Sequence, residues 1–133
     1  MLLRDYDTRI PELNALHASK QTYYLTGARV FGASDLYPDW DFFTDPDATS
    51  ELIQMGYVQM PRDNAFDHKT ICVMRKIITS QQFIHVAIVQ DAQLRSYLQI
   101  IMEQGAALTR VNKLERRQYW DIALAGLYER ILL

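Results

Sequence analysis

Two aspartates in the first half of the chain have the spacing of a metal site. Asp39 and Asp41 are separated by one residue, so on an extended strand both carboxylates leave the same face. Trp40 and Phe42 then point to the other face, toward a core. Paired carboxylates suit a hard divalent cation such as Mg²⁺ or Mn²⁺. The spacing is therefore compatible with a metal site, but such a pair taken alone is more often a solvated loop or a helix cap.

A glycine turn precedes these aspartates. Tyr23–Thr26 is β-prone and ends at Gly27, which predicts a strand entering a tight turn. Gly27 and Gly32 have the spacing of a Walker A loop, but Ala33 replaces its lysine, so a P-loop is excluded. The segment also lacks the GxGxxG dinucleotide fingerprint. Phe43 excludes a calcium loop and the DxDxT phosphatase pattern, and Gly27 taken alone is more often part of a turn than of a phosphate site.

Strand, turn and aspartates together are more specific than each alone. The segment Gly27–Phe43 contains Gly-Ala-Arg-Val-Phe-Gly followed by Asp-Trp-Asp-Phe-Phe. It resembles the signature of the nucleotidyltransferase superfamily, which is an apolar strand, Gly-Ser or Gly-Gly, a spacer, and Asp-x-Asp or Asp-x-Glu. At this chain length the resemblance is to the minimal, single-domain members of that superfamily.

The resemblance implies a role for each matching residue. Gly27, Ala28 and Arg29 would bind the triphosphate of an NTP, with backbone N–H groups supplying most of the contacts. Asp39 and Asp41 would hold Mg²⁺ or Mn²⁺ against the phosphate oxygens. The implied reaction is attack of a hydroxyl on the α-phosphorus, with pyrophosphate leaving.

The sequence departs from the superfamily pattern at two positions. Ala28 stands where a serine is usual, which removes a hydroxyl donor to the phosphate. The superfamily places a third carboxylate on a later strand, and in the apolar run Phe83–Val89 that position is His85. His85 is a candidate third metal ligand, or a half-buried, hydrogen-bonded histidine with no metal role. Asp91 is a second candidate acid, or the N-cap of the helix that follows it.

Charge and composition narrow the class of substrate. The net charge is −2 and the pI about 5.9, with no basic stripe, so a protein or small-molecule acceptor is favoured over nucleic acid. A second hypothesis is a catalytically degenerate member that acts as a nucleotide-binding or protein-interaction module, with a protein partner or a second copy of the chain. A third is a small α+β domain in which the aspartates are incidental.

The elements that must position these residues follow from hydrophobic periodicity. We predict one α/β (α+β) domain over residues 1–133, with a mixed sheet and helices packed on it. The predicted helices are 8–20, capped by Thr8, 50–55, capped and ending at Gly56, one from Ala92, and one after Gly105. The predicted strands are 23–26, 40–44, 57–60, 70–78 and 82–90, with a hairpin connection at 79–81.

The remaining composition describes an ordinary globular chain. Of 133 residues, 49% are hydrophobic, enough for one core. The single cysteine, Cys72, excludes a disulfide framework. The N-terminus becomes charged too early for a secretory signal, and the apolar runs are too short to span a membrane. We therefore expect a cytoplasmic protein.

Overall fold

A five-stranded mixed sheet forms the centre of the computed structural model, which describes residues 9–26, 39–60 and 71–105. In chain order its elements are α1 (Pro11–Ala18), β1 (Tyr24–Thr26), β2 (Trp40–Thr44), a 3-10 turn (Pro46–Ala48), α2 (Thr49–Gln54), β3 (Val58–Gln59), β4 (Ile71–Thr79), β5 (Gln82–Val89) and α3 (Ala92–Gly105). The predicted class, α+β with helices packed on a mixed sheet, is confirmed for these residues.

The strand order brings together segments that are distant in sequence. Across the sheet it is β1-β2-β5-β4-β3. β2 and β5 run parallel, and the other three neighbouring pairs are antiparallel. β4 and β5 form the predicted hairpin, with Ser80 and Gln81 between the paired residues Thr79 and Gln82. As a result, the strand that carries the aspartates lies beside the strand that carries His85.

One face of the sheet carries the larger of the two buried clusters, and we call it the closed face. Trp40 and Phe42 of β2 lie on it with Ile84 and Val86 of β5, and Phe42 is only 1% exposed. The prediction that Trp40 and Phe42 enter the core is confirmed. Helices α1 and α2 cover this face. The buried residues of the cluster are Leu13, Leu16, Tyr23, Leu25, Trp40, Phe42, Ala48, Leu52, Tyr57, Met74, Ile84, Val86 and Ile88.

The opposite face, which we call the site face, is packed over part of its area. Phe43 and Val89 belong to a second buried cluster with one side of α3. Its other buried residues are Leu94, Leu98, Ile101 and Met102. Asp41, His85 and Arg75 lie on the same face beyond this cluster, and each is partly exposed. These polar and charged side chains therefore lie on the part of the site face that the apolar cluster does not cover.

Local hydrogen bonds set the helix starts. Asp91 accepts a hydrogen bond from the backbone N–H of Leu94 at 2.9 Å, so its predicted role as the N-cap of α3 is confirmed. The predicted cap of the first helix is wrong. That helix begins at Pro11 with Ile10 at the N-cap position and no side-chain cap, so Thr8 lies too far upstream. Pro11 at the first helical position supplies a preset φ instead.

The second helix also starts differently from the prediction. α2 has Ala48 at its N-cap and no side-chain cap, because the chain enters it directly from the 3-10 turn rather than through a cap at Ser50. It ends as predicted before Gly56, whose φ of 89° favours glycine. The predicted turn at Gly27 and helix after Gly105 lie outside the described residues. Within the described ranges, no helix has the length and apolar character needed to cross a membrane.

Two tyrosines are buried under α1 and α2. The Tyr23 hydroxyl donates to Glu51 Oε1 at 3.1 Å. The Tyr57 hydroxyl is buried with no hydrogen-bond partner among the described residues, and one carboxylate oxygen of Glu12 is in the same state. Burial, reinforced by nearby negative charge, raises the pKa of both phenols above their ordinary value. Both tyrosines therefore stay neutral far into alkaline pH.

Candidate functional site

The centre of the candidate site is a contact between two neighbouring parallel strands. Asp41 of β2 and His85 of β5 are register partners, and both side chains point to the site face. His85 Nδ1 lies 3.2 Å from Asp41 Oδ1. An ionised carboxylate only accepts hydrogen bonds, so this contact assigns a proton to Nδ1. The His85 side chain is 25% exposed and that of Asp41 is 33% exposed, so both remain accessible to a ligand.

Asp39 is held at the edge of the same site by the neighbouring strand. Its Oδ1 accepts a hydrogen bond from the backbone N–H of Phe83 at 3.0 Å. Asp39 immediately precedes β2, and it lies two residues from Asp41, which places both on one side of the extended chain. The structure therefore brings all three predicted metal ligands, including His85, to the junction of β2 and β5.

The spacing of Asp41 and His85 fits two neighbouring ligands of one ion. Asp41 Oδ1 and His85 Nδ1 are 3.2 Å apart, close enough for both atoms to contact one ion. Carboxylate oxygen is a ligand that Mg²⁺ prefers, whereas imidazole nitrogen is a poorer match for it. To ligate the ion, Nδ1 would have to release the proton that it shares with Asp41.

The complete ligand set is not assembled in the described ranges. Among residues 9–26, 39–60 and 71–105, no three His, Cys, Asp or Glu side chains form a group that could hold a metal ion. The Asp41–His85 pair is in place, whereas an oxygen of Asp39 accepts a hydrogen bond from the backbone of β5. A shared ion would therefore require Asp39 to turn an oxygen toward the pair.

The other predicted site residues fall into two groups. Asp91, the alternative third acid, follows the far end of β5 and caps α3, so it is separated from the aspartate pair. Gly27, Ala28 and Arg29 lie outside the described residues. The alternative description of His85 as half-buried and hydrogen-bonded fits its geometry as well as the description as a ligand does.

Sequence reasoning missed one residue of the site face, Arg75. It is the register partner of His85 on β4, and its Cζ lies 5.0 Å from the centroid of the Phe83 ring. Arg75 interrupts the apolar run Ile71–Ile78, which was the available signal. That signal was not sufficient, because counting back from the pair Thr79–Gln82 places Lys76 across from His85, and a register shift between Ile77 and Thr79 puts Arg75 there instead.

Comparisons with known proteins do not assign the chain. No protein-family model, curated protein or solved structure matches it. The resemblance over Gly27–Phe43 to nucleotidyltransferases therefore stays a prediction.

Proposed function

We propose that the protein is a metal-dependent nucleotidyltransferase that moves an NMP group from an NTP to a hydroxyl of a protein or small-molecule acceptor. The observation that carries the proposal is the parallel pairing of β2 with β5. This pairing sets Asp41 and His85 3.2 Å apart, on the strand where the superfamily has its third acid.

Each residue would contribute position or charge. Asp39 and Asp41 would hold Mg²⁺ or Mn²⁺, with His85 as the third ligand. The bound ion supplies neutralisation of charge on the phosphate oxygens. The acceptor oxygen forms a bond to the α-phosphorus, the bond from that phosphorus to pyrophosphate breaks, and the hydroxyl proton passes to solvent. Pyrophosphate is the leaving group.

The acceptor follows from the charge of the chain. A net charge of −2 gives no general attraction to a polyanion. In addition, the charged side chains of the site face mix two aspartates with one arginine. A protein or small-molecule hydroxyl is therefore a better acceptor than a nucleic acid end.

Isothermal titration with each of the four NTPs, in Mg²⁺ and in Mn²⁺, tests the proposal. The wild type is expected to bind at least one NTP only when the ion is present. Asp41→Asn should abolish ion-dependent binding or pyrophosphate release, and Asp39→Asn should weaken it. Asp47→Asn is the matched control, because it removes the same charge from an exposed residue in the turn after β2. Failure of the wild type to bind any NTP with either ion contradicts the proposal.

A second candidate is a catalytically degenerate nucleotidyltransferase fold that binds nucleotide or protein. The observation that favours it is the hydrogen bond between His85 and Asp41, which occupies a carboxylate oxygen that an ion would need. This candidate predicts NTP or partner binding that survives Asp41→Asn, with no pyrophosphate release. It also predicts that His85→Asp creates metal binding. Pyrophosphate release that depends on Asp41 decides for the enzyme.

A further inference from the structure

One row of side chains crosses the whole sheet on the site face. The register pairs Thr26 with Asp41, Asp41 with His85, His85 with Arg75, and Arg75 with Val58. Neighbouring strands are about 4.8 Å apart, so the backbone of Arg75 lies about 10 Å from that of Asp41. A ligand that has one anionic group at the aspartate pair and another about 10 Å away could therefore also reach the arginine.

The state of Arg75 is unusual for a partly buried cation. Its guanidinium lies 5.0 Å from the centroid of the Phe83 ring, and no ion pair joins it to a carboxylate of the described residues. The nearby carboxylates make other contacts, Asp39 with the Phe83 N–H and Asp41 with His85. The ring restrains the guanidinium but does not neutralise its charge.

Guanidinium chemistry indicates what would bind there. The planar group offers a rigid fork of N–H donors that matches the oxygens of a phosphate in a bidentate contact. Stacking on Phe83 reduces the conformational freedom that such a contact would otherwise remove from a long side chain. The Arg75 guanidinium is restrained and has no carboxylate partner among the described residues, so it is well suited to bind an oxyanion.

We infer that Arg75 binds the terminal phosphates of the nucleotide and then holds the leaving pyrophosphate. The phosphate chain would extend across β5, with its α-phosphate at Asp39 and Asp41 and its far end at β4. This path replaces the expectation, implied by the resemblance, that Gly27, Ala28 and Arg29 bind the terminal phosphates. The identity of the ligand as a nucleotide rests on the proposed function. The existence of a phosphate-binding arginine does not, so the two can fail separately.

Titration with tripolyphosphate in EDTA tests the arginine alone, because this probe needs neither a nucleoside nor a metal. Arg75→Gln is expected to weaken its binding about 10- to 100-fold, which is the loss of a charge-assisted contact. Arg75→Lys should weaken it less, since it keeps the charge but loses the fork. Lys20→Gln, which removes an exposed charge elsewhere, should bind like the wild type.

A second variant separates binding from folding. Phe83→Leu keeps an apolar side chain and the arginine, but removes the ring that restrains it. It is expected to weaken tripolyphosphate binding by a smaller factor than Arg75→Gln. Circular dichroism of each variant establishes that the strands are retained, and Arg75→Lys provides the comparison if Arg75→Gln is unfolded.

The outcomes distinguish the inference from the proposed function. Equal tripolyphosphate binding by Arg75→Gln and the wild type overturns the inference, even if Asp41-dependent NTP binding is present. Arg75-dependent tripolyphosphate binding without ion-dependent NTP binding supports the phosphate site and contradicts the transferase. If the wild type binds neither probe, both are overturned.

Discussion

The two faces of the sheet use the same strands for different purposes. On the closed face, alternate residues of β2 and β5 are almost fully buried under α1 and α2. On the site face, the intervening residues Asp41 and His85 remain a quarter to a third exposed, and Arg75 lies beside them on β4. Because the side-chain period of a strand is two, each strand can stabilise the fold with one set and carry charge with the other.

This contrast indicates where the free energy of folding resides. Burial of apolar area is the main favourable contribution, and the closed face contains the larger of the two buried clusters. A partly exposed hydrogen bond such as that between His85 and Asp41 contributes little by comparison. Substitution of the polar residues of the site face is therefore expected to change the free energy of unfolding little, unless those residues bind a ligand.

The largest expected effect comes from removing a core ring on the closed face. Phe42→Ala should lower the free energy of unfolding by about 3–5 kcal/mol, because it leaves a cavity beside α1 and α2. Val58→Ala, on the site face at an edge strand and 68% exposed, should change it by less than about 0.5 kcal/mol. Urea denaturation measures both. Similar losses for the two variants would remove the distinction between the faces.

The next effect concerns the helix that covers part of the site face. Asp91→Ala removes the cap of α3 and should lower the free energy of unfolding by about 0.5–2 kcal/mol. Because α3 packs on Phe43 and Val89, its amides should also exchange faster with solvent, whereas those of α1 should not. Hydrogen exchange followed by mass spectrometry checks this. Equal acceleration in α1 would show that the two clusters unfold as one unit.

A gain in stability is expected from the buried phenol of the closed face. Tyr57→Phe removes a hydroxyl with no partner and should raise the free energy of unfolding by about 1 kcal/mol at neutral pH. Tyr23→Phe, which loses the bond to Glu51, is the matched control and should lower it or leave it unchanged. A loss with Tyr57→Phe would show that its hydroxyl has a partner.

The same residues predict a pH dependence with a definite sign. The raised pKa of Tyr57 means that the unfolded chain loses the phenol proton first, near pH 10, while the folded chain retains it. Above about pH 10 the folded chain therefore binds more protons than the unfolded chain, so the free energy of unfolding falls as the pH rises further. Thermal unfolding at pH 9 to 11.5 should show a shallower decline for Tyr57→Phe than for the wild type.

The smallest effect on stability is expected at the centre of the site. Asp41→Asn should change the free energy of unfolding by less than about 1 kcal/mol, because its contact with His85 is a single, partly exposed hydrogen bond. The same variant is expected to abolish ion-dependent nucleotide binding. Thermal unfolding and calorimetry on one preparation compare the two effects. A large loss of stability with no change in binding would make the Asp41–His85 pair structural.

Much of the fold could be predicted from local sequence patterns. β2 was predicted residue for residue, because alternation and the Asp-Pro-Asp stop define both ends. The β4–β5 hairpin and the cap at Asp91 were also predicted, since each depends on a few adjacent residues. Helix starts were harder to predict. The cap expected from Thr8 is not used because Pro11 begins α1, and the cap expected at Ser50 is not used because α2 follows directly from a 3-10 turn.

The site was only partly predictable, for a physical reason. The alignment of Asp39 and Asp41 follows from strand geometry alone. The side-by-side placement of Asp41 and His85 depends on which strands are neighbours, which no short-range pattern specifies, and here the superfamily resemblance supplied the expectation. Arg75 was missed because its position requires both the strand order and the hairpin register.

The strand order also has a consequence for folding kinetics. Asp41 and His85 are 44 residues apart in sequence, whereas β4 and β5 are joined by a two-residue turn. Closing a long loop costs more entropy than closing a short one, so the hairpin can form early and the parallel β2–β5 pairing later. A chain in which only the hairpin has formed contains Arg75 and His85 in place but neither aspartate. The acidic half of the site is therefore completed by the last long-range pairing of the described sheet.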